Sequence, residues 1–300
     1  MNRAVVTGAS GAVGYGLIKA LLSENIGVTV LGRSKPEIDG VDYIYCELDG
    51  LKSFDAELTA DAFFHLAWNG TYGADRNDMQ AQYKNVDYTL DAVRFAKKLG
   101  CRAFVGVGSQ AEYGAVEYGV KLTPELACNP ESYYGKAKLE ACRKARELCD
   151  ELDIKFNWCR IISAYGIGDK PYTMVMQTIA KFVRGESCDF TPCDQIWDYM
   201  NNEDVGRALL MTAKNGKNGR VYVLGSGSSA PLKSYVMKIY DAVSNNEAKC
   251  NFGALAYYEN QAMYLSSDIS ALTADTGFVP KISFDEGIRA TVEWYKQKYI

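Results

Sequence analysis

The sequence predicts an α/β fold: a doubly wound parallel sheet with helices on both faces, followed by a smaller, mixed C-terminal part. Three observations predict it. Short apolar runs alternate with longer helical patterns through the first half of the chain. A glycine triplet, Gly8, Gly11 and Gly14, stands between the first run and the first helical stretch. After residue 165 the alternation fades, and glycines, aromatics and short elements take over.

The elements follow in order. Residues 3–8 (RAVVTG) read as a strand and residues 12–24 (AVGYGLIKALLSE) as a helix. Residues 27–32, 42–47 and 62–67 read as further strands. A long helix is predicted over 77–99, where Met79, Tyr83, Val86, Leu90 and Val93 step by four and three along one apolar face. Residues 101–108 read as a strand, 133–152 as a helix and 155–162 as a strand. In the second part, helices are predicted at 173–184, 203–214 and 284–299. The stretch GRVYVLG, residues 219–225, predicts a strand that returns to the main sheet. The expected division is residues 1–165 for the sheet domain and 166–300 for the second part, interleaved through a segment near 190–225.

Composition excludes several function classes. The net charge is -4 with no cluster of Lys or Arg, which argues against nucleic acid or an anionic membrane surface as partner. No run of about 18 apolar residues predicts a membrane span. No basic-then-apolar leader opens the chain, so a cytoplasmic location is expected. The nine cysteines are scattered without a Cys-x-x-Cys pair and the chain has one histidine, so no metal site is expected and the thiols read as free. That histidine, His65, ends an apolar run (AFFHLAW), where a structural role fits better than a general base.

The glycine triplet points to a nucleotide. Gly8 permits a sharp turn after the strand, Gly11 lets a pyrophosphate approach the backbone, and Gly14 lets the helix pack tightly on the strand. Ala12 and Val13 open that helix, whose first amides and positive dipole end would face the phosphates; Thr7 and Ser10 add hydroxyls. This is a Rossmann-type arrangement. After the second strand, a site for NAD would place an acidic residue against the ribose 2′-hydroxyl. Here Gly32 stands in that position, followed by Arg33, Ser34 and Lys35. Two cations and a hydroxyl suit a phosphate dianion, so NADP(H) is the preferred cofactor, with NAD(H) left open.

Catalytic candidates lie further on. Tyr134 and Lys138 are four residues apart on a predicted helix and share a face. A lysine ammonium beside a phenol lowers its pKa and fits it for proton transfer. Ser109 follows a strand directly, where its hydroxyl would reach the same substrate oxygen.

With these motifs assembled, the chain resembles the extended short-chain dehydrogenase/reductases of the NAD(P)-dependent nucleotide-sugar epimerase/dehydratase type. The resemblance rests on TGASGAVG (7–14), FHLAW (64–68), NVDYTL (85–90), GSQAEYG (108–114), YGKAK (134–138) and WDYMNNEDVGRAL (197–209). It implies Tyr134 as catalytic acid/base, Ser109 as its hydrogen-bonding partner and Lys138 as its tuner and ribose ligand. It also implies Glu47 and Leu48 at the adenine edge, Leu66, Ala67 and Trp68 along the cofactor, and Asn85 as the helix asparagine that steadies the site. Gln110 and Ala111 stand where the family's dehydratases carry an acid and a base, so dehydration is not expected. Trp197 replaces an arginine that usually contacts the substrate diphosphate; Gln110 and Trp197 are candidate substrate contacts, and Lys181, Arg184 or Arg220 would have to supply the cation. GSQAEYG and WDY resemble the 4-keto-6-deoxysugar reductases of the family, such as the CDP-abequose and CDP-paratose synthase type. The activity this implies is NADPH-dependent reduction of a nucleotide-sugar ketone. An epimerase and a non-catalytic dinucleotide sensor are the alternatives. The resemblance also implies a homodimer.

Overall fold

In the computed structural model, which describes residues 1–55, 57–244, 247–259 and 261–300, the first apolar run forms strand β1 (Arg3–Thr7) and leads into helix α1 (Ala12–Ser23). Then come β2 (Gly27–Gly32), β3 (Asp42–Tyr45), β4 (Ala62–His65), α2 (Met79–Lys98), β5 (Ala103–Ser109), α3 (Tyr133–Glu151) and β6 (Lys155–Ile161). The chain continues through β7 (Ala164–Tyr165), α4 (Met174–Val183), β8 (Cys188–Phe190), β9 (Ile196–Trp197), β10 (Met200–Asn201) and α5 (Asn202–Asn215). It ends with β11 (Arg220–Leu224), β12 (Ala230–Pro231), α6 (Leu232–Val243), β13 (Cys250–Phe252), α7 (Ser270–Thr276) and α8 (Phe284–Tyr299).

Among the described residues the main sheet has seven strands in the order β11-β6-β5-β4-β1-β2-β3. Every pairing in it is parallel. This is the Rossmann-type doubly wound sheet, and β11 brings residues from the second part of the chain to its edge. Because strand side chains alternate between faces, the sheet has two cores. Val6, Val30, Phe64 and Val105 pack with Leu17 and Ile18 of α1 and Leu209 of α5 on one side. Val5, Phe63, Phe104, Phe156 and Trp158 pack with Val93 of α2 and Ala141 of α3 on the other. A third cluster joins α4, α6 and α8 through Ile179, Phe182, Val236, Ile239 and Ile288.

Local chemistry sets the helix starts. Ser132 caps α3, its hydroxyl accepting the Gly135 amide at 3.1 Å, and Asp78 caps α2 by accepting the Ala81 amide at 3.0 Å. Two glycines let helices touch. A Cβ on Gly16 of α1 would sit 1.8 Å from the Asn202 carbonyl oxygen, and one on Gly206 of α5 would sit 2.1 Å from Gly16.

One expectation needs correction. The buried stripe of α2 is Gln82, Asn85, Val86, Thr89 and Val93, while Met79 and Tyr83 are exposed. Gln82 and Asn85 are buried because their side chains hydrogen-bond to the loop after Trp68, and Thr89 because its hydroxyl donates to the Asn85 carbonyl, so hydropathy periodicity misreads the face. Helices α6 and α7 and the short paired strands of the second part were not anticipated.

Candidate active site

Strand order reverses between β1 and β4, and ligands of open α/β sheets bind outside the carboxyl ends at that point. A cavity of about 440 Å3 opens there, bordered by Gly8, Ser10 and Gly11. The three glycines do different jobs. Gly8 has φ +75°, and a Cβ on it would lie 2.5 Å from the Ala67 nitrogen. A Cβ on Gly14 would lie 2.5 Å from Ala9, so that residue sets the helix against the loop. A Cβ on Gly11 would meet nothing within 4 Å; it would project into open space, at the N-cap of α1. Ala12 and Val13 form the first turn, whose amides have no carbonyl partner within the helix. Bare backbone, free amides and a dipole end facing a cavity fit the pyrophosphate of a dinucleotide.

Arg33 and Ser34 border the same cavity after β2, and Glu47 and Leu48 border it after β3. Arg33 has no ion pair among the described residues. Leu66, Ala67 and Trp68, following β4, form the opposite wall. Lys170 also borders the cavity, a cation that sequence reasoning did not single out.

Buried amides on α2 pin the loop after Trp68. The Trp68 indole N–H donates to Gln82 Oε1 at 2.8 Å, and Gln82 Nε2 donates to the carbonyls of Gly70 at 2.7 Å and Asp75 at 2.9 Å. Asn85 accepts the Asn69 amide at 2.8 Å and donates to the Asn69 carbonyl at 3.1 Å. Asn85 thus acts through the loop rather than by lining the cavity.

Ser109 ends β5, and its hydroxyl lies close enough to the buried Tyr134 phenol to lower that phenol's pKa. The Trp68 ring meets the Tyr134 ring edge-on at 6.1 Å. Burial raises the Tyr134 pKa, against the lowering effect of the Ser109 hydroxyl and the nearby Arg76 charge. Lys138, expected to tune Tyr134, makes its nearest contacts elsewhere in this structure. Lys138 Nζ donates to the Val107 carbonyl at 2.6 Å and lies 3.8 Å from the Trp68 ring centre. Burial pushes its pKa down to about 7, although Glu112 opposes the shift. The cation beside Tyr134 is Arg76, whose guanidinium carbon lies 4.3 Å from the ring centre. Nothing in the sequence marked Arg76, because it reaches Tyr134 from a separate loop.

Glu112 was also missed. It is fully buried beneath Ser109 and accepts three hydrogen bonds: from the Ser109 amide at 2.9 Å, the Trp158 indole at 2.9 Å and Arg160 Nε at 2.7 Å. His65 is buried with Nδ1 2.9 Å from the Thr7 hydroxyl. Burial first, and then Lys138, push its pKa down to about 3, so it is neutral at pH 7 and structural.

Gln110 is half-buried next to Ser109. Trp197 donates its indole N–H to the Ser163 hydroxyl at 2.9 Å. The buried Asp198 beside it accepts from the Ser226 amide at 2.9 Å, the Ser226 hydroxyl at 2.6 Å and the Ser267 hydroxyl. None of the three cations offered for a substrate diphosphate borders the cofactor cavity. Arg220 begins β11, at the amino edge of the sheet, and faces Glu125 at 3.4 Å and Asp275 at 3.5 Å. Arg184 is exposed and pairs with Glu186 at 2.7 Å, and Lys181 is exposed in the last turn of α4. Lys170 borders the cofactor cavity instead, and Arg76 lies against Tyr134.

Comparison with known proteins agrees with this geometry. Residues 4–225 match the model of the NAD dependent epimerase/dehydratase family. CDP-abequose synthase of Salmonella muenchen is 24% identical over 295 residues, covering 96% of this chain and 96% of its own. A dTDP-glucose 4,6-dehydratase of Streptomyces griseus is 24% identical, covering 97% of this chain and 93% of its own. Among solved structures, UDP-glucose 4-epimerase of Thermotoga maritima with UDP-glucose superposes with TM-score 0.87 at 20% identity, covering 99% of this chain and 100% of that one. RMD from Pseudomonas aeruginosa complexed with NADPH superposes with TM-score 0.84 at 21% identity, again covering 99% and 100%. The chain belongs to the NAD dependent epimerase/dehydratase family.

Proposed function

We propose that the protein is an NADPH-dependent reductase acting on the C4 ketone of a nucleotide-activated 4-keto-6-deoxysugar. The observation that carries this reading is the Tyr134–Ser109 pair with no acid and base beside it. Gln110 and Ala111 occupy the positions that dehydration would need, and the next carboxylate, Glu112, is committed to Arg160 under the site. The likeness to a CDP-abequose synthase over nearly the whole chain supports it. Arg33 and Ser34, in place of a carboxylate at the ribose, support NADP(H).

The nicotinamide, when bound, supplies the hydride. The chain supplies everything else. Tyr134, a phenol protonated at pH 7 whose pKa burial raises further, donates a proton to the developing alkoxide. Ser109 hydrogen-bonds the same oxygen and holds it in line with the phenol. Arg76 stabilises the phenolate that remains. Lys138 stands below Tyr134 on α3, where its Nζ donates hydrogen bonds to the nicotinamide ribose hydroxyls. The exposed Met79 and Tyr83 on α2 support a homodimer formed through that helix.

The test follows NADPH absorbance with freshly made 4-keto-6-deoxyglucose linked to CDP, dTDP or UDP. Stoichiometric NADPH loss with one of them, absent in Tyr134→Phe, is the expected result. Product formation without net NADPH loss would identify an epimerase. Tight dinucleotide binding without turnover of any ketosugar would identify a sensor.

A further inference from the structure

The cofactor groove continues past Gly11 into a second cavity of about 360 Å3. Ser10, Gly11, Ser34 and Lys170 border both cavities. The far wall of the second comes from the other end of the chain: Trp294, Lys298 and Tyr299, in the last turns of α8. Lys35 and Glu37 face it from the loop after β2. The cavity therefore gathers three lysines, Lys35, Lys170 and Lys298, against two carboxylates, Glu37 and Asp169.

Both carboxylates are already engaged. Asp169 accepts the Lys170 amide at 2.8 Å and the Thr173 hydroxyl at 3.0 Å. Glu37 is ion-paired with Lys298. Its side chain is 78% exposed, so this pair is weak and exchangeable. Lys35 and Lys170 have no ion pair among the described residues. The rings of Trp294 and Tyr299 lie 5.2 Å and 5.6 Å from the Lys298 ammonium and keep it on the cavity side of the helix. Cations in excess, a serine hydroxyl and a neighbouring glycine loop make a surface suited to a phosphate dianion.

We propose that Lys298 of the C-terminal helix, with Lys35 and Ser34, reads the 2′-phosphate of NADP, and that Glu37 holds Lys298 in position until the phosphate replaces it. This rests on the NADP(H) reading above. It assigns discrimination between the two dinucleotides partly to a residue more than 250 positions away from the glycine loop in sequence.

The test is calorimetric binding of 2′,5′-ADP and 5′-AMP, which needs no turnover. The unmodified protein is expected to bind 2′,5′-ADP at least about tenfold more tightly than 5′-AMP. Lys298→Met is expected to weaken 2′,5′-ADP about tenfold and leave 5′-AMP unchanged, and Glu37→Gln to tighten 2′,5′-ADP a few-fold. If the unmodified protein discriminates and Lys298→Met discriminates equally well, the inference fails while the NADP(H) reading stands. If Lys298→Met weakens both ligands alike, α8 is only a wall and the inference also fails. If the unmodified protein does not discriminate, both fall together.

Discussion

Arg76 and Lys138 show how burial reassigns roles that spacing suggests. The four-residue interval placed Tyr134 and Lys138 on one helix face, and they are there. The interval says nothing about desolvation, which takes the charge from Lys138 near neutrality. Two predictions follow from this at residue scale. Arg76→Met removes a cation that lowers the Tyr134 pKa. In the alcohol-oxidising direction, which needs phenolate, the rising limb of the kcat/KM profile therefore moves to higher pH, with NADPH affinity retained. A limb that stays in place would refute the role of Arg76. The second concerns stability without cofactor. An unfolded lysine titrates near 10.4, so between about pH 7 and 10 the unfolded chain binds more protons at Lys138 than the folded one. That contribution to stability grows as pH rises and is lost as pH falls toward 7. Lys138→Met abolishes it, so its urea midpoint should gain less than the parent's between pH 7 and pH 9, by an equivalent of roughly 2 kcal/mol. The buried thiols act in the opposite sense in both proteins, so the difference isolates Lys138. Glu112→Gln is the harshest of these changes, because it leaves Arg160 buried without its partner. It should cost about 3–5 kcal/mol in denaturant melts and loosen Ser109.

Among the elements, α1 and α5 cross where Gly16 and Gly206 leave room for backbone against backbone. Gly16→Ala pushes a methyl group into the Asn202 carbonyl. It should destabilise the protein by at least about 1–3 kcal/mol, seen as a lower urea midpoint; an unchanged midpoint would mean the helices part at little cost. The strands of the main sheet, its long helices and the glycine loop were legible in the sequence, because apolar runs and turn residues act locally. Ser10 and Arg33, which border the cavity, were legible for the same reason, each lying just past a strand end; Glu47, Leu48 and Trp68, which also border it, came from the family resemblance. What was not legible depended on distant partners. The inward face of α2 is polar because Gln82 and Asn85 hold a loop that folds back on them. Arg220 looked like a site cation until its strand was placed, since only the direction of β11 reveals that its first residue lies at the wrong edge. Helix α6 carried a readable stripe (Leu232, Tyr235, Val236, Ile239), but the glycine-rich stretch before it obscured its start.

For the whole molecule, the outer face of α2 predicts an assembly. Tyr83→Glu should shift the sedimentation profile from dimer to monomer while leaving the circular dichroism spectrum unchanged. A parent protein that sediments as a monomer would end that reading. Ligand linkage offers a second global readout: at 100 times its dissociation constant, NADPH should add about 2.7 kcal/mol to unfolding, visible as a higher melting temperature.

The seventh strand of the main sheet has a consequence for how the chain is made. All of β11 pairs with β6, from Arg220 opposite Asn157 to Leu224 opposite Ile161. During synthesis β6 leaves the ribosome well before its partner exists. For that interval a strand rich in buried apolar residues is an open sheet edge, a template for pairing with other nascent chains. At about 5–20 residues per second, the 58 residues between the end of β6 and the start of β11 keep that edge open for roughly 3–12 seconds. Fragments that stop before residue 220 should therefore aggregate when expressed, and the yield of the full chain should depend on how well the cell shields that edge.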